Sequence, residues 1–109
     1  MKLLYILLIS ILYITPLKAD ELSCLAEAVY FEARSEPFIA QLAVANVILT
    51  RVESPRYPDS ICDVVHQSRK WKGKPIRNKC QFSYWCDGKP ETIANVDAYQ
   101  ESVGAAELA

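Results

Sequence analysis

The sequence predicts a small, mainly helical α+β domain with a short β-hairpin. Three observations predict it. Apolar residues recur at helical spacing in separate stretches, one aromatic segment alternates as a strand does, and four cysteines accompany a chain too short to build a large core.

The chain of 109 residues begins with Met1-Lys2 and then Leu3 to Ile14, twelve residues interrupted only by Ser10. Thr15-Pro16-Leu17-Lys18-Ala19 follows as a helix break with a small residue for cleavage. Residues 1–19 therefore read as a secretory signal peptide and 20–109 as the domain. An uncleaved membrane anchor is the alternative, although this twelve-residue stretch is short against the roughly 20 that span a bilayer. The domain keeps 109 − 19 = 90 residues, with 10 basic and 13 acidic side chains.

Ser23 is expected to cap the first helix, and Leu22, Leu25, Val29 and Ala33 give it one apolar face before an end near Ser35 and Pro37. Phe38 to Val52 is the most apolar stretch of the domain and predicts a central buried helix. Gln41 and Asn46 interrupt it. They are expected either to bond across to the first helix and orient Glu32 or to satisfy nearby backbone groups. Glu53 to Pro58 is a proline-broken loop, and Ser60 with Asp63 predicts a capped short helix through about Gln67.

Ser68 to Lys79 carries Arg69, Lys70, Lys72, Lys74, Arg77 and Lys79 and no acidic residue. This basic loop beside Trp71 suits an anionic polymer, such as peptide-stem carboxylates or wall phosphates, or else is simply solvated. Cys80 to Cys86 reads as a strand closed by an Asp87-Gly88 turn, with Gln81, Ser83 and Trp85 on one face and Phe82 and Tyr84 on the other. Asn95 is expected to cap a last helix with Val96, Tyr99, Val103 and Ala106 on its apolar side.

Glu32 is the first candidate for chemistry. It lies one turn after Ala28 on the edge of the apolar face, whereas Glu27 and Arg34 are expected to point away. Partial burial raises a carboxyl pKa, which a general acid near neutral pH requires; the competing reading is a solvated or ion-paired rim residue. The four cysteines, Cys24, Cys62, Cys80 and Cys86, are even in number in an exported chain and predict two disulfides with the pairing open. Spacings of 38, 18 and 6 residues contain no Cys-x-x-Cys pair, so no metal or other cofactor is expected. His66 reads as an ordinary polar residue of the third helix. Nucleic acid is disfavoured as a partner by export and by a domain charge of about −3, the difference of the counts above.

Several blocks in order resemble one family. They are Cys24-Leu25-Ala26, Tyr30 to Pro37, Gln41 with Ala43-Val44-Ala45 and Val47 to Val52, Arg56 to Val65, and Cys80 to Gly88. Together they resemble the cell-wall hydrolases of the spore cortex-lytic (SleB/CwlJ-type) kind. The family usually has Gly where Ser35 stands. The resemblance implies a lysozyme- or lytic-transglycosylase-like domain acting on peptidoglycan glycan strands, with Glu32 protonating the bond between N-acetylmuramic acid and N-acetylglucosamine. One acid suffices when the muramic 6-hydroxyl is the nucleophile. Gln81, Ser83, Tyr84, Trp85 and Asp87 are the expected substrate contacts, the aromatic rings suiting sugar faces, with core packing and turn formation as the competing explanations. An amidase cleaving muramic acid from L-alanine and a non-catalytic wall-binding domain are the alternatives. The implied location is the periplasm or cell envelope, with the membrane touched only through an uncleaved N-terminal segment. Similar members continue for some tens of residues, so an incomplete C-terminus, a fragment and a short form all stay open.

Overall fold

The computed structural model describes residues 18–109. The predicted signal peptide lies outside these residues except for Lys18 and Ala19. The elements are α1 (Ala19–Ala33), α2 (Phe38–Glu53), α3 (Ile61–Val65), β1 (Ser68–Trp71), β2 (Lys74–Cys80), a 3₁₀ turn (Ser83–Cys86) and α4 (Val96–Leu108). The mainly helical α+β architecture is the one the sequence predicts.

The first helix is the centre of the molecule. Leu25, Ala26, Ala28, Val29, Tyr30 and Ala33 are all buried along it, and α2, α3 and α4 pack around it. Small residues make the closeness possible: Ala26 and Ala28 of α1 share one core with Ala105 and Ala106 of α4. Each large apolar side chain buried here contributes about 1.5–3 kcal/mol. The helix starts one turn earlier than expected, at Ala19, so Ser23 lies inside it and is exposed rather than capping it. It ends at Ala33, where the Glu36 N–H donates to the Ala33 carbonyl at 3.0 Å. Positive φ among the described non-glycine residues occurs only at Lys72 and Asn78, so Ser35 in place of the family's Gly carries no left-handed strain.

The expectation of a wholly buried second helix is corrected. Only Gln41, Ala45 and Ile48 of α2 are buried, a stripe at i, i+4 and i+7, while Ile39 and Val47 face outward at 73% and 48% exposure. The domain has too few layers to cover a helix on every side. Nor does Gln41 reach Glu32. Its Nε2 donates to the Glu36 carbonyl and to Glu101 Oε1, both at 3.1 Å, and its Oε1 accepts from Ser102 Oγ at 3.2 Å. A buried amide thus ties α2 to α4. Asn46 is exposed.

The short α3 is held at its first turn. Glu21 of α1 accepts from the Ile61 N–H at 2.6 Å and the Cys62 N–H at 3.3 Å, while Ser60 Oγ accepts from the Asp63 N–H as the sequence predicts. Cys24 and Cys62 form a disulfide across the same contact, with Cα atoms 5.2 Å apart. Asn95 caps α4 by accepting from the Ala98 N–H at 3.0 Å.

The basic segment is a hairpin, not a loop. Lys72 and Gly73 both have positive φ, 52° and 79°, the geometry of a tight hairpin turn, and Trp71 pairs with Lys74 across it. The predicted strand from Cys80 to Cys86 is also corrected: β2 stops at Cys80 and a 3₁₀ turn follows. The second disulfide, Cys80 to Cys86, is the reason. Its Cα atoms are 6.0 Å apart, whereas six extended steps would span roughly 20 Å.

Loop-closure entropy predicts unequal disulfides. Cys24→Ala with Cys62→Ala opens a 38-residue separation and should cost about 4 kcal/mol in urea unfolding. Cys80→Ala with Cys86→Ala opens one of 6 residues and should cost about 2 kcal/mol.

Candidate active site

Glu32 stands near the end of α1, where the apolar face gives way to solvent. With Ala43, Val44 and Val47 of α2 and Phe82 it lines a hollow of about 280 Å³. The outward apolar side of α2 is therefore one wall of this hollow. Burial against that wall raises the Glu32 carboxyl above its ordinary pKa, with no other cause of weight.

Phe82, just before the 3₁₀ turn, supplies the other wall, and the turn packs behind α1. Tyr84 is buried, its ring stacks on Phe31 with centroids 4.8 Å apart, and its hydroxyl donates to Glu27 Oε1 at 2.9 Å. Burial first, then the charge and hydrogen bond of Glu27 and the charges of Glu32 and Glu91, holds the phenol protonated far above its usual range. Phe31 in turn meets Tyr30 edge-on at 5.0 Å. The sequence-predicted contact Tyr84 is thus a packed and hydrogen-bonded residue that does not line the hollow.

Glu27 corrects the helical-wheel expectation that it points away. It lies 3.5 Å from His66 Nε2, an ion-pair separation, while accepting from Tyr84. The His66 imidazole foremost, with the Tyr84 hydroxyl, holds the Glu27 carboxyl below its ordinary pKa against the opposing effect of burial. His66 is stacked on Trp85 at 3.6 Å, so Trp85 is engaged with α3 rather than standing free. The signal for this cluster was present in Glu27 and Phe31, four residues apart on one helix stripe.

The remaining predicted contacts are dispersed. Ser83 is exposed at the start of the 3₁₀ turn, and Asp87 ends it, its Oδ1 accepting from the Lys89 N–H at 2.8 Å. Gln81 opens into a different hollow at the base of the hairpin, whereas its neighbour Phe82 lines the Glu32 hollow. The expected division into Gln81, Ser83 and Trp85 against Phe82 and Tyr84 is lost with the strand. Gly88 has φ 82°, and the Arg77 guanidinium lies 2.9 Å from where a Cβ there would stand. The positive φ favours glycine at this turn, whereas the flexible Arg77 side chain can move aside.

The sequence pattern of the Cell Wall Hydrolase family matches residues 35–109. The chain belongs to this family. The match begins three residues after Glu32. The spore cortex-lytic enzyme of Halalkalibacterium halodurans is 46% identical over 48 residues, 44% of this chain and 14% of that protein. That of Bacillus subtilis is 46% identical over 48 residues and matched over 16% of its length, and that of Oceanobacillus iheyensis 44% identical over 50 residues and 18%. The chain therefore spans less than a fifth of the length of these relatives. No solved structure matches it.

The two carboxylates of α1 should move stability in opposite directions with pH. Glu27, with its pKa depressed from 4.5, stabilises the fold above that value, and the contribution is lost as pH falls through the folded-state value. Glu32, raised from 4.5, binds its proton more tightly when folded, so its contribution declines as pH rises through that window. In urea unfolding at pH 7, Glu27→Gln should destabilise and Glu32→Gln should be neutral or stabilising. Tyr84→Phe should cost about 1–2 kcal/mol.

Proposed function

We propose that this domain cleaves peptidoglycan glycan strands by lytic transglycosylation, with Glu32 as general acid and then base. The observation that carries the reading is a carboxyl with a raised pKa in an apolar-walled hollow, in a chain of the cell wall hydrolase family. The names of the relatives, enzymes that lyse spore cortex, support the substrate class.

The chemistry needs one proton donor. Protonated Glu32 gives its proton to the glycosidic oxygen between N-acetylmuramic acid and N-acetylglucosamine as the bond from that oxygen to C1 breaks. The resulting Glu32 carboxylate takes the proton of the muramic 6-hydroxyl, whose oxygen closes onto C1. The products are an N-acetylglucosamine end and a 1,6-anhydromuramic end, and Glu32 is again protonated. The apolar residues beside it raise the carboxyl pKa and so favour the acid form that the transfer needs. If water attacks C1 instead, the same acid gives muramidase hydrolysis.

The apolar start of the chain and the two disulfides support an exported domain of the periplasm or cell envelope.

Purified peptidoglycan digested by oxidised residues 20–109 should release anhydromuropeptides, read by mass spectrometry. Glu32→Gln should release none, and the wild-type rate should fall as pH rises through the Glu32 pKa, because the acid form is the active one. Reducing-end muropeptides would replace transglycosylation by hydrolysis, and free stem peptides would identify an amidase. No product from the folded protein would overturn the enzymatic reading and leave wall binding.

A further inference from the structure

A second hollow, of about 410 Å³, opens where the hairpin joins the body and is lined by Gln67, Ser68, Arg69, Lys79, Cys80 and Gln81. It is preformed. The Gln81 N–H donates to the Gln67 carbonyl at 2.9 Å, Ser68 pairs with Cys80, and Cys80 is bonded to Cys86. Two atoms of its lining residues, Gln67 Oε1 and Ser68 Oγ, are buried without a hydrogen-bond partner among the described residues. Buried polar atoms are nearly always paired, so a water or a ligand group in the hollow is the expected partner of these two. Arg69 and Lys79 stand at the same hollow, and residues 68–80 contain no acidic side chain.

These features select a chemical class. Arg69 and Lys79 suit carboxylates. The Gln67 oxygen accepts from an N–H or O–H donor, and a stem peptide brings amide N–H groups together with the carboxylates that suit Arg69 and Lys79, whereas a phosphate or a free carboxylate brings only acceptors. The hollow also lies beside the site: Gln81 lines it and the next residue, Phe82, lines the Glu32 hollow. We infer that the hairpin base is a subsite for the acidic stem peptide carried by muramic acid, an inference that rests on the glycan-cleavage reading. The stem would enter beside Phe82 while its sugar lies against Glu32.

Binding can be read without turnover. In the Glu32→Gln protein, N-acetylmuramyl-L-alanyl-D-glutamate should bind and shift the backbone amide NMR signals of Gln67, Ser68 and Gln81. Amidating its carboxylates, or adding Arg69→Gln with Lys79→Gln, should weaken binding by about ten-fold, as expected for lost charge-assisted contacts. Removing the same charge at the hairpin tip, Lys72→Gln with Lys74→Gln, should leave binding within about two-fold, since exposed charges farther away are screened. An equal loss from the tip variant would show general charge attraction and overturn the subsite. Absence of binding to the folded protein would overturn it too, as would capture by anionic phospholipid vesicles but not by the muramyl peptide. The two readings fail separately: binding without peptidoglycan digestion by the wild type removes glycan cleavage and keeps the peptide site. Digestion at equal KM with and without stems, and no binding, does the reverse.

Discussion

The burial of α1 is the constraint on which the rest depends. Leu25, Ala28 and Val29 are fully buried, and α2, α3 and α4 all pack against this one helix. A domain this small has one place to put such a helix, and once it is central its surface becomes a resource divided among neighbours. The Cys24–Cys62 bond and the Glu21 carboxylate fix α3 on one side, and Tyr30 accepts from the Asn95 N–H at 3.2 Å on another. The stripe holding Glu27 and Phe31 receives Tyr84. The positions left uncovered near the C-terminal end include Glu32.

Helical periodicity made α1, α2, α3 and α4 legible, because spacing of apolar residues is a local property that survives folding. The Ser60 and Asn95 caps were legible for the same reason. What periodicity does not carry is which sides of a helix the neighbours reach. Glu27 was placed outward because a wheel contains only one helix, and the contact that turned it inward comes from Tyr84, 57 residues away. The apolar circumference of α2 suggested full burial for the same reason. Cys80 to Cys86 failed differently. Its alternation is real, but the covalent closure of six residues overrides it, and the pairing of the cysteines was not readable from their spacing. The hairpin was hidden in a run of cations because its turn is Lys72-Gly73, without the Asn or Asp that usually marks one.

The exposure of Ala43 and Val47 on α2 acquires a reason once the hollow is seen. Ala43, Val44 and Val47 supply low polarizability beside Glu32 without supplying a charge partner. A lysine in this wall would have stabilised the carboxylate and lowered its pKa. Leaving apolar surface uncovered costs stability in water, and here that surface is what raises the Glu32 pKa.

The contrast between Glu27 and Glu32 is the clearest case of environment assigning roles. They are the same residue type, five positions apart on one helix, and begin from the same ordinary pKa. Glu27 meets an imidazole and a phenol hydroxyl, both of which favour the anion, so it is held ionised and spends its lone pairs on packing the 3₁₀ turn. Glu32 meets methyl groups and a phenyl ring, which favour the acid. Environment alone has pushed the two carboxyls apart, one toward the anion and the other toward the acid. The Tyr84 hydroxyl stands in the field of both, and its proton is committed to Glu27, so it does not compete as a donor at the hollow. The division follows from one fact of packing: five helical residues turn through roughly 140° beyond a full revolution, enough to give one carboxylate a polar partner and leave the other against an apolar wall.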